Sequence, residues 1–264
     1  MYGDLDRPPL RGHALTRALA PDGWQVEVRE ETGSTNAVVA ERARAGAAAG
    51  LVVVAERQTA GRGRFGRSWI SPPRAGLTFS VLLRPQLPAE RWGWLPLWGG
   101  LAVAEALRER CRVDAVLKWP NDVLLRSDDG AERKVCGLLA EVPLPGALVL
   151  GVGLNITTRP EELPDAQATS LRIAGAATTD RDTLLRAVLR SLTGVLADAD
   201  PDAYRARCAT LGRRVRLELP AGAVEGVAES VDDTGRLVVD GAPYSAGDVV
   251  HLRAPAADTD SSGG

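Results

Sequence analysis

The sequence contains few cysteines and histidines. Its three cysteines, Cys111, Cys136 and Cys208, are scattered and form no CxxC pair. This excludes a disulfide framework or a cysteine-based zinc site and is typical of a reducing compartment. The two histidines, His13 and His251, lie near the termini, and no G-x-S-x-G segment is present. A Ser-His catalytic triad is therefore not expected.

Long apolar runs and an excess of positive charge are also missing. The longest apolar stretch, residues 135–156, is interrupted by Glu141, Pro143 and Pro145, which argues against a membrane span. The first residues are acidic and proline-rich, which is not the pattern of a signal peptide. Lysine plus arginine number 32 against 34 acidic residues, and the net charge is −2. We therefore expect a cytoplasmic protein with no membrane partner and no nucleic-acid partner.

Lysine is rare in this chain. Only Lys118 and Lys134 are lysines, and the other 30 basic residues are arginines. A GC-rich genome explains the arginines but does not explain why two positions remain lysine. Lysine is a compact point charge that reaches a phosphate or carboxylate where the guanidinium fork does not fit. Each lysine is therefore a weak indication of chemistry with an anion.

Apolar patterning predicts a mixture of helices and short strands. Strands are predicted at residues 25–28, 51–55, 77–83, 115–118, 122–125, 134–142 and 147–156. Helices are predicted at residues 13–20, 37–45, 181–197 and 202–208, and a long one has Pro96 near its first turn and an apolar face through Leu97, Leu101, Ala104 and Leu107.

The spacing of these elements predicts the fold class and the domains. The last three strands of the main domain are close enough in sequence to form hairpins, so an α+β fold with a mixed or antiparallel sheet is favoured over a doubly wound sheet. Alternating Val and Leu after residue 212 predict a small β-barrel. We divide the chain into an N-terminal extension (1–24), a main domain (25–210), a barrel (211–254) and a disordered tail (255–264).

The glycine- and arginine-rich loop at residues 61–67 matches G-x-G-x-x-G, but its context does not fit a dinucleotide fold. Prolines at 72 and 73 follow it instead of a helix, and position 86 is glutamine rather than an acid. There is also no kinase HRD or DFG segment, no Walker A motif and no repeated RG box. Arg57, Arg62, Arg64 and Arg67 lie within eleven residues that contain no like-spaced acids. We expect such a loop to be mobile and to order around an anionic ligand.

The two lysines lie at strand ends. Lys118 begins the segment Lys-Trp-Pro-Asn-Asp, in which Pro120 imposes an extended residue before it and Asn121-Asp122 favour a turn. The segment is either an ordinary turn or, given the lysine after an aliphatic strand, part of a site. Lys134 begins a strand, where it either caps a hairpin or stabilises charge on a phosphoryl group.

Together these segments resemble the biotin protein ligases. Five segments occur in that family's order and spacing: Gly-Ser-Thr-Asn at 33–36, Gln-Thr-Ala-Gly-Arg-Gly-Arg-Phe-Gly-Arg-Ser-Trp at 58–69, Lys-Trp-Pro-Asn-Asp at 118–122, Lys-Val-Cys-Gly at 134–137 and Gly-Val-Gly-Leu-Asn at 151–155. The resemblance covers residues 25–252 and includes the small C-terminal region. Phe65 and Cys136 depart from the residues expected at their positions.

The resemblance implies a fold and a reaction. The catalytic domain would be similar to class II aminoacyl-tRNA synthetases and biotin synthetases, followed by an SH3-like barrel. The biotin carboxylate would attack the α-phosphate of ATP, giving biotinyl-5′-AMP and pyrophosphate, with Mg²⁺ as the metal. A lysine of the biotin carboxyl carrier domain of acetyl- or acyl-CoA carboxylase would then attack the mixed anhydride and release AMP.

The resemblance also implies roles for individual residues. Catalytic roles fall to Lys134, Arg62 and Arg67. Biotin contacts fall to Ser34, Thr35, Asn36, Gln58, Arg62, Gly63, Arg64 and Lys134. Nucleotide contacts fall to Arg64, Arg67, Trp69, Lys118, Asn121 and Asn155, and Asp122 is the candidate Mg²⁺ contact.

Two alternatives to this function stay open at the level of sequence. A lipoate or octanoate ligase or transferase of the same fold would need a pocket for an aliphatic chain, and a non-enzymatic biotin- or nucleotide-binding protein would not need Lys118, Lys134 and Arg64. Since 33 residues precede Ser34, we expect a monofunctional ligase without a DNA-binding domain.

Overall fold

The computed structural model of the chain describes residues 6–220 and 222–252, which form α-helices and two β-sheets. The helices are α1 (Gly12–Leu19), α2 (Thr35–Arg44), α3 (Trp94–Cys111), α4 (Arg181–Asp198) and α5 (Pro201–Arg205). The strands are β1 (Gln25–Arg29), β2 (Leu51–Ala55), β3 (Gly76–Leu83), β4 (Asp114–Lys118), β5 (Asp122–Arg126), β6 (Glu132–Leu144), β7 (Ala147–Asn155), β8 (Arg214–Leu219), β9 (Gly222–Val231), β10 (Leu237–Val239), β11 (Ala242–Tyr244) and β12 (Asp248–His251).

The main sheet has seven strands in the order β1-β2-β3-β7-β6-β5-β4. Only β1 and β2 run parallel, and α2 connects them. The other neighbours are antiparallel, and β4 to β7 follow one another as hairpins with short connections. The prediction of a mixed sheet with flanking helices is confirmed.

Helix α3 packs against one face of the sheet and against α4. The predicted apolar face of α3 is buried, and so are Trp98 and Ala102 on its other sides, because the helix is enclosed between the sheet and α4. A Cβ on Gly99 would lie 2.7 Å from Leu150 Cδ2, so the glycine lets the helix approach the sheet closely.

Helix α2 covers the second face of the sheet. Val39 and Ala43 of α2 pack against Val53, Leu82 and Val149, whereas the neighbours of Val53 in β2 belong to the α3 side of the core. This division follows from the alternation of side chains along a strand. Both faces of the central strands are therefore covered, which explains why every residue of β3 and β7 is buried.

Two helix boundaries differ from the predicted ones by two residues or more. Helix α2 begins at Thr35 rather than at residue 37, because Ser34 is already the N-cap. Helix α5 ends at Arg205 rather than at residue 208, because the next residues pair with β4 instead: Leu117 N–H donates to Arg207 O, and Ala209 N–H donates to Leu117 O. Long-range strand pairing ends this helix, which a local pattern does not reveal.

The C-terminal strands form a second, antiparallel sheet in the order β11-β10-β9-β8-β12. The predicted β-structure after residue 212 is confirmed. In the described residues β11 and β12 are the sheet edges, and closure into an SH3-like barrel stays a prediction, as do the domain boundaries. The predicted disordered tail lies outside the described residues.

The two sheets meet at the turn before β10. The indole N–H groups of Trp94 and Trp119 donate to Asp233 O and Gly235 O, at 3.0 and 3.1 Å. None of the helices in the part of the chain that the structure describes is long and apolar enough to cross a membrane.

Candidate active site

The start of α2 holds the Gly-Ser-Thr-Asn segment in place. Ser34 is the N-cap and accepts a long hydrogen bond from Ala37 N–H, at 3.5 Å. Gln58 Oε1 accepts from Thr35 N–H at 2.8 Å and lies 3.1 Å from the Thr35 hydroxyl. Three of the predicted biotin residues, Ser34, Thr35 and Gln58, are therefore brought together at one helix N-terminus, whose dipole favours an anion.

Asn36 is buried behind this segment, and its side chain is already fully hydrogen bonded. Its Oδ1 lies 2.6 Å from Ser80 Oγ, and its Nδ2 donates to Leu139 O and, at 2.7 Å, to Glu141 Oε2. A Cβ on Gly151 would lie 2.2 Å from Asn36 Oδ1, so only glycine leaves room for the amide. These contacts fix α2 to the sheet, while direct contact of Asn36 with biotin stays a prediction.

The arginine loop is a narrow hairpin. Gly63 N–H donates to Arg67 O at 2.6 Å, and Trp69 N–H donates to Gly61 O at 2.9 Å. Phe65 occupies the tip in the left-handed region, with φ of 53°, and its side chain is 57% exposed. A large apolar residue is unusual in this conformation, and the tip of a turn is a position where it is tolerated.

Other parts of the chain supply the partners of the loop arginines. Arg62 Nη2 donates to Glu141 Oε2 at 3.0 Å, and Arg67 Nη2 donates to Asp248 Oδ1 at 2.8 Å. Arg64 Nη1 donates to Gly247 O at 3.1 Å and to Asn121 Oδ1 at 3.3 Å.

Sequence reasoning missed Glu141 and Asp248, because both are remote in sequence from the loop. The two acids provide the counter-charge that the local sequence lacks. Arg62 and Arg67 donate to these partly exposed carboxylates, so an anionic ligand has to displace the carboxylates from the arginines.

Lys134 lies at the centre of the candidate site. Its ammonium nitrogen is 2.6 Å from Asp122 Oδ1 and 5.8 Å from the centre of the Trp69 ring. A Cβ on Gly137 would lie 3.1 Å from Lys134 Nζ and 3.2 Å from Trp69 Cζ3, so the glycine gives both side chains room. This contact explains why a glycine follows three residues after the lysine.

The Trp69 indole packs against Gly153 of β7 and Gly137 of β6. A Cβ on Gly153 would lie 2.4 Å from Trp69 Cε2, and the indole N–H is buried with no partner in the described residues. Asn155, at the end of the same strand, is buried and donates to Thr169 O at 3.0 Å. A ring on a glycine floor offers its free face to a planar ligand, which is consistent with the adenine contact implied for Trp69.

The β4–β5 turn carries the remaining predicted residues. Lys118 and Asp122 face each other in the pairing of these strands. Asn121 Nδ2 donates to Leu138 O at 2.8 Å, and its Oδ1 accepts from Arg64. An open cavity of about 370 Å³ lies beside this turn and is lined by Arg64, Asn121 and residues 234–236 of the C-terminal sheet.

Two cations of this turn and of the arginine loop, Lys118 and Arg64, are largely removed from water. Burial lowers the pKa of the Lys118 ammonium and of the Arg64 guanidinium, against the opposing effect of nearby Asp122 and Asp248. Both cations have lost hydration without gaining a full counter-charge. A polyanion would supply that charge, so the arrangement favours a phosphate-bearing ligand.

Comparisons with known proteins show the family of the chain. Residues 28–156 match the Biotin/lipoate A/B protein ligase family, and residues 210–252 match the Biotin protein ligase C terminal domain. The biotin–[acetyl-CoA-carboxylase] ligase of Mycobacterium tuberculosis is 46% identical, covering 95% of this chain and 98% of the relative.

Solved structures show the same similarity. The biotin protein ligase of Aquifex aeolicus in complex with biotin and ATP matches with a TM-score of 0.72 and 31% identity, covering 87% of this chain and 99% of that one. The Leishmania major enzyme in complex with biotinyl-5-AMP matches with a TM-score of 0.59 and 28% identity, covering 87% and 98%. This chain therefore belongs to the biotin protein ligase family and is a ligase of that kind.

Proposed function

We propose that the chain joins biotin to a lysine of a carboxylase biotin carrier domain in two steps that consume ATP. One observation carries the proposal: the Lys134 ammonium is 2.6 Å from Asp122, Lys118 and Arg64 interact electrostatically with the same carboxylate, and burial lowers the pKa of Lys118 and of Arg64. A carboxylate and a polyphosphate repel one another, so their reaction requires fixed cations between them.

In the first step a biotin carboxylate oxygen attacks the α-phosphorus of ATP. A bond forms between the carboxylate oxygen and the α-phosphorus. The bond from the α-phosphorus to the oxygen that bridges to the β-phosphate breaks, and pyrophosphate leaves. Lys134 bridges the carboxylate and the α-phosphate, while Arg62 and Arg67 neutralise the carboxylate and the departing pyrophosphate. The Lys134 ammonium must therefore leave Asp122 and contact the reacting groups instead. The Lys134 side chain is partly exposed, which supports this change of partner.

The binding roles follow the same division. For biotin we propose Ser34, Thr35, Asn36, Gln58, Arg62, Gly63, Arg64 and Lys134. For the nucleotide we propose Arg64, Arg67, Trp69, Lys118, Asn121 and Asn155. The fixed amide of Gln58 at the N-terminus of α2 and the glycine floor under Trp69 support these assignments.

In the second step the amine of the acceptor lysine attacks the biotinyl carbonyl. A C–N bond forms, the amine gives up one proton to solvent, the C–O bond to the phosphate breaks, and AMP leaves. The mixed anhydride is easily hydrolysed, so a loop that closes over it protects the intermediate from water. The arginine loop, whose arginines are held by exchangeable partners, is placed to do this.

Magnesium fits the site as an ion that arrives with ATP. No group of three or more His, Cys, Asp or Glu side chains that could hold a metal occurs in the described ranges. Mg²⁺ commonly takes one or two carboxylates, phosphate oxygens and water, and Asp122 is the carboxylate beside the proposed phosphate position. When bound, the ion neutralises charge on the phosphates.

The acceptor and the cellular setting belong to the same proposal. The name of the mycobacterial relative points to acetyl-CoA carboxylase as the acceptor. Cys111, Cys136 and Cys208 are free and buried, which is consistent with a reducing cytoplasm. The net charge of −2 gives no reason to add a nucleic-acid partner.

Pyrophosphate release and carrier labelling test the proposal directly. The purified chain is incubated with ATP and Mg²⁺ plus biotin, lipoate or octanoate, with and without a carrier domain. Release with biotin and biotin transfer to the carrier are expected. Release only with lipoate or octanoate would assign the chain to that other activity, and biotin binding without release would make it a binding protein.

A further inference from the structure

A chain of hydrogen bonds links the C-terminal sheet to the backbone of the β4–β5 turn. Trp119 N–H donates to Thr210 Oγ1 at 3.1 Å, and both groups are buried. On its other side, Thr210 Oγ1 lies 3.2 Å from Nε2 of His251 in β12. Thr210 therefore connects His251 to the residue directly after Lys118.

The contacts of His251 determine which ring nitrogen carries the proton. Its Nδ1 lies 3.1 Å from Arg213 Nη1, and a guanidinium only donates, so Nδ1 accepts. The hydrogen is then on Nε2, which donates to Thr210. Arg213 is itself fixed by Glu132, with nitrogen–oxygen distances of 2.9 and 2.7 Å.

The surroundings keep this ring neutral. Burial lowers the pKa of His251 to about 4, and the nearby cations Lys118 and Arg213 act in the same direction, against the carboxylate of Glu132. The ring therefore keeps its accepting Nδ1 and donating Nε2 across the neutral pH range. The His251 Nε2–H and the Trp119 N–H therefore both donate to the Thr210 oxygen, which accepts from each of them.

We propose that His251 is a positioning residue for the nucleotide: it orients Thr210, which fixes the Trp119 backbone and with it Lys118 and Asn121. The inference rests on the proposed function, since Lys118 and Asn121 are nucleotide contacts only there. His251 does not touch the substrate, and it acts through Thr210 alone.

Other contacts hold the neighbourhood together without His251. Leu117 exchanges backbone hydrogen bonds with Arg207 and Ala209, and the Trp119 indole donates to Gly235 O. These bonds lie before Lys118 or on the indole, and the bonds between Asn121 and Leu138 hold the far side of the turn. The Thr210 bond is the one made by the Trp119 backbone N–H, directly after Lys118. Loss of His251 should therefore shift the turn without unfolding the protein.

The decisive experiment compares His251→Phe with His251→Gln. Phenylalanine keeps a ring but has no hydrogen-bonding atom, whereas glutamine keeps an amide N–H that reaches Thr210. In biotinyl-AMP formation, His251→Phe should raise KM for ATP about tenfold and change KM for biotin less than twofold. His251→Gln should recover most of the ATP affinity, and Val250→Ala on the exposed side of β12 is the control.

A second pair of variants serves if His251→Phe does not fold. Thr210→Val removes the acceptor of Trp119 N–H, and Thr210→Ser keeps it. Thr210→Val should show the same selective rise in KM for ATP, and Thr210→Ser should behave as wild type. Equal rises in both KM values, or a lowered Tm with KM for ATP unchanged, would overturn the inference.

Calorimetric binding of ATP separates this inference from the proposed function. If the wild-type chain forms no biotinyl-AMP, the proposed function is wrong. Comparing the ATP affinities of wild type and His251→Phe still tests whether His251 positions the β4–β5 turn. A weaker Kd for ATP in His251→Phe supports the positioning role, and an unchanged Kd rejects it.

Discussion

Lys134 combines a charge with a fixed position, because Asp122 and the Trp69 ring hold its ammonium while Gly137 leaves it room. Replacing Lys134 with alanine removes the cation between the two reacting anions. We expect the rate of pyrophosphate release to fall about 10²- to 10³-fold, the usual effect of removing one group that stabilises charge in a transition state.

The adjacent residue provides the control for this prediction. Arg133 is exposed on the same strand, and Arg133→Ala should keep the wild-type rate within about twofold. A fall of less than tenfold in Lys134→Ala, or an equal fall in both variants, would show that Lys134 does not act in the first step.

The position of the Trp69 ring depends on the absence of a side chain at Gly153, so its role can be tested without changing the tryptophan itself. In Gly153→Ala the new Cβ would overlap the indole and push the ring out of position. We expect KM for ATP to rise at least about fivefold, with a loss of about 1–3 kcal/mol in stability from overpacking.

Gly194 in α4 is the matched control, because a Cβ there meets nothing within 4 Å. Gly194→Ala should stabilise the helix by about 0.5–1 kcal/mol and leave KM for ATP unchanged. If Gly153→Ala lowers Tm but KM for ATP stays at the wild-type value, the ring does not contact the nucleotide.

At the scale of elements, the arginine loop is attached to the C-terminal sheet through the exposed pair of Arg67 and Asp248. Asp248→Asn weakens this attachment, so trypsin should cleave the loop about two- to fivefold faster than in wild type, the range expected for an exposed ion pair. Saturating biotin and ATP should slow cleavage in both proteins, because the ligands replace the carboxylate.

Glu218 is the matched control, since it forms an exposed ion pair with Arg216 in the same sheet. Glu218→Gln should leave the cleavage rate of the loop unchanged. Equal cleavage rates in wild type and Asp248→Asn would mean that the loop is held by its own hairpin bonds rather than by β12.

The elements that the sequence predicted well are those with strong local signals. Strand β2 is a continuous aliphatic run, β3 and β7 are rich in buried Leu and Val, and Ser34 caps α2 as an N-cap residue should. The positions missed depend on contacts between remote segments. The end of α5 is set by pairing of residues 207–209 with β4, and no local pattern encodes that pairing.

The same distinction holds for the candidate site. Its cations stand out in the sequence because lysine is rare and arginine is concentrated in one loop. Their partners do not stand out, since Glu141 and Asp248 are ordinary acids until the sheets bring them to Arg62 and Arg67. Thr210 and His251 were missed for the same reason.

At the scale of the whole molecule, we expect acid to destabilise the protein first at the contact between the two sheets, where His251 lies. The folded pKa of His251 is about 4, below the ordinary value of 6.5 in the unfolded chain. Between these values the unfolded chain binds the proton more tightly. The His251 contribution to stability is therefore complete above pH 6.5 and is lost as pH falls towards 4.

The size of this effect follows from the shift in pKa. At about 1.4 kcal/mol for each unit, the free energy of unfolding should fall by up to about 3 kcal/mol between pH 6.5 and 4 through His251 alone. Urea unfolding at pH 7, 5.5 and 4.5 measures it, with His251→Gln as the reference protein.

Carboxylates such as Glu162 and Asp232, whose pKa values are lowered in the folded chain, also destabilise it in acid. They act alike in both proteins and cancel in the difference between wild type and His251→Gln. That difference should narrow steadily from pH 6.5 downwards, because only the wild type has His251 to protonate. A constant difference would mean that protonation of His251 does not destabilise the folded chain. Other groups would then account for the loss of stability in acid.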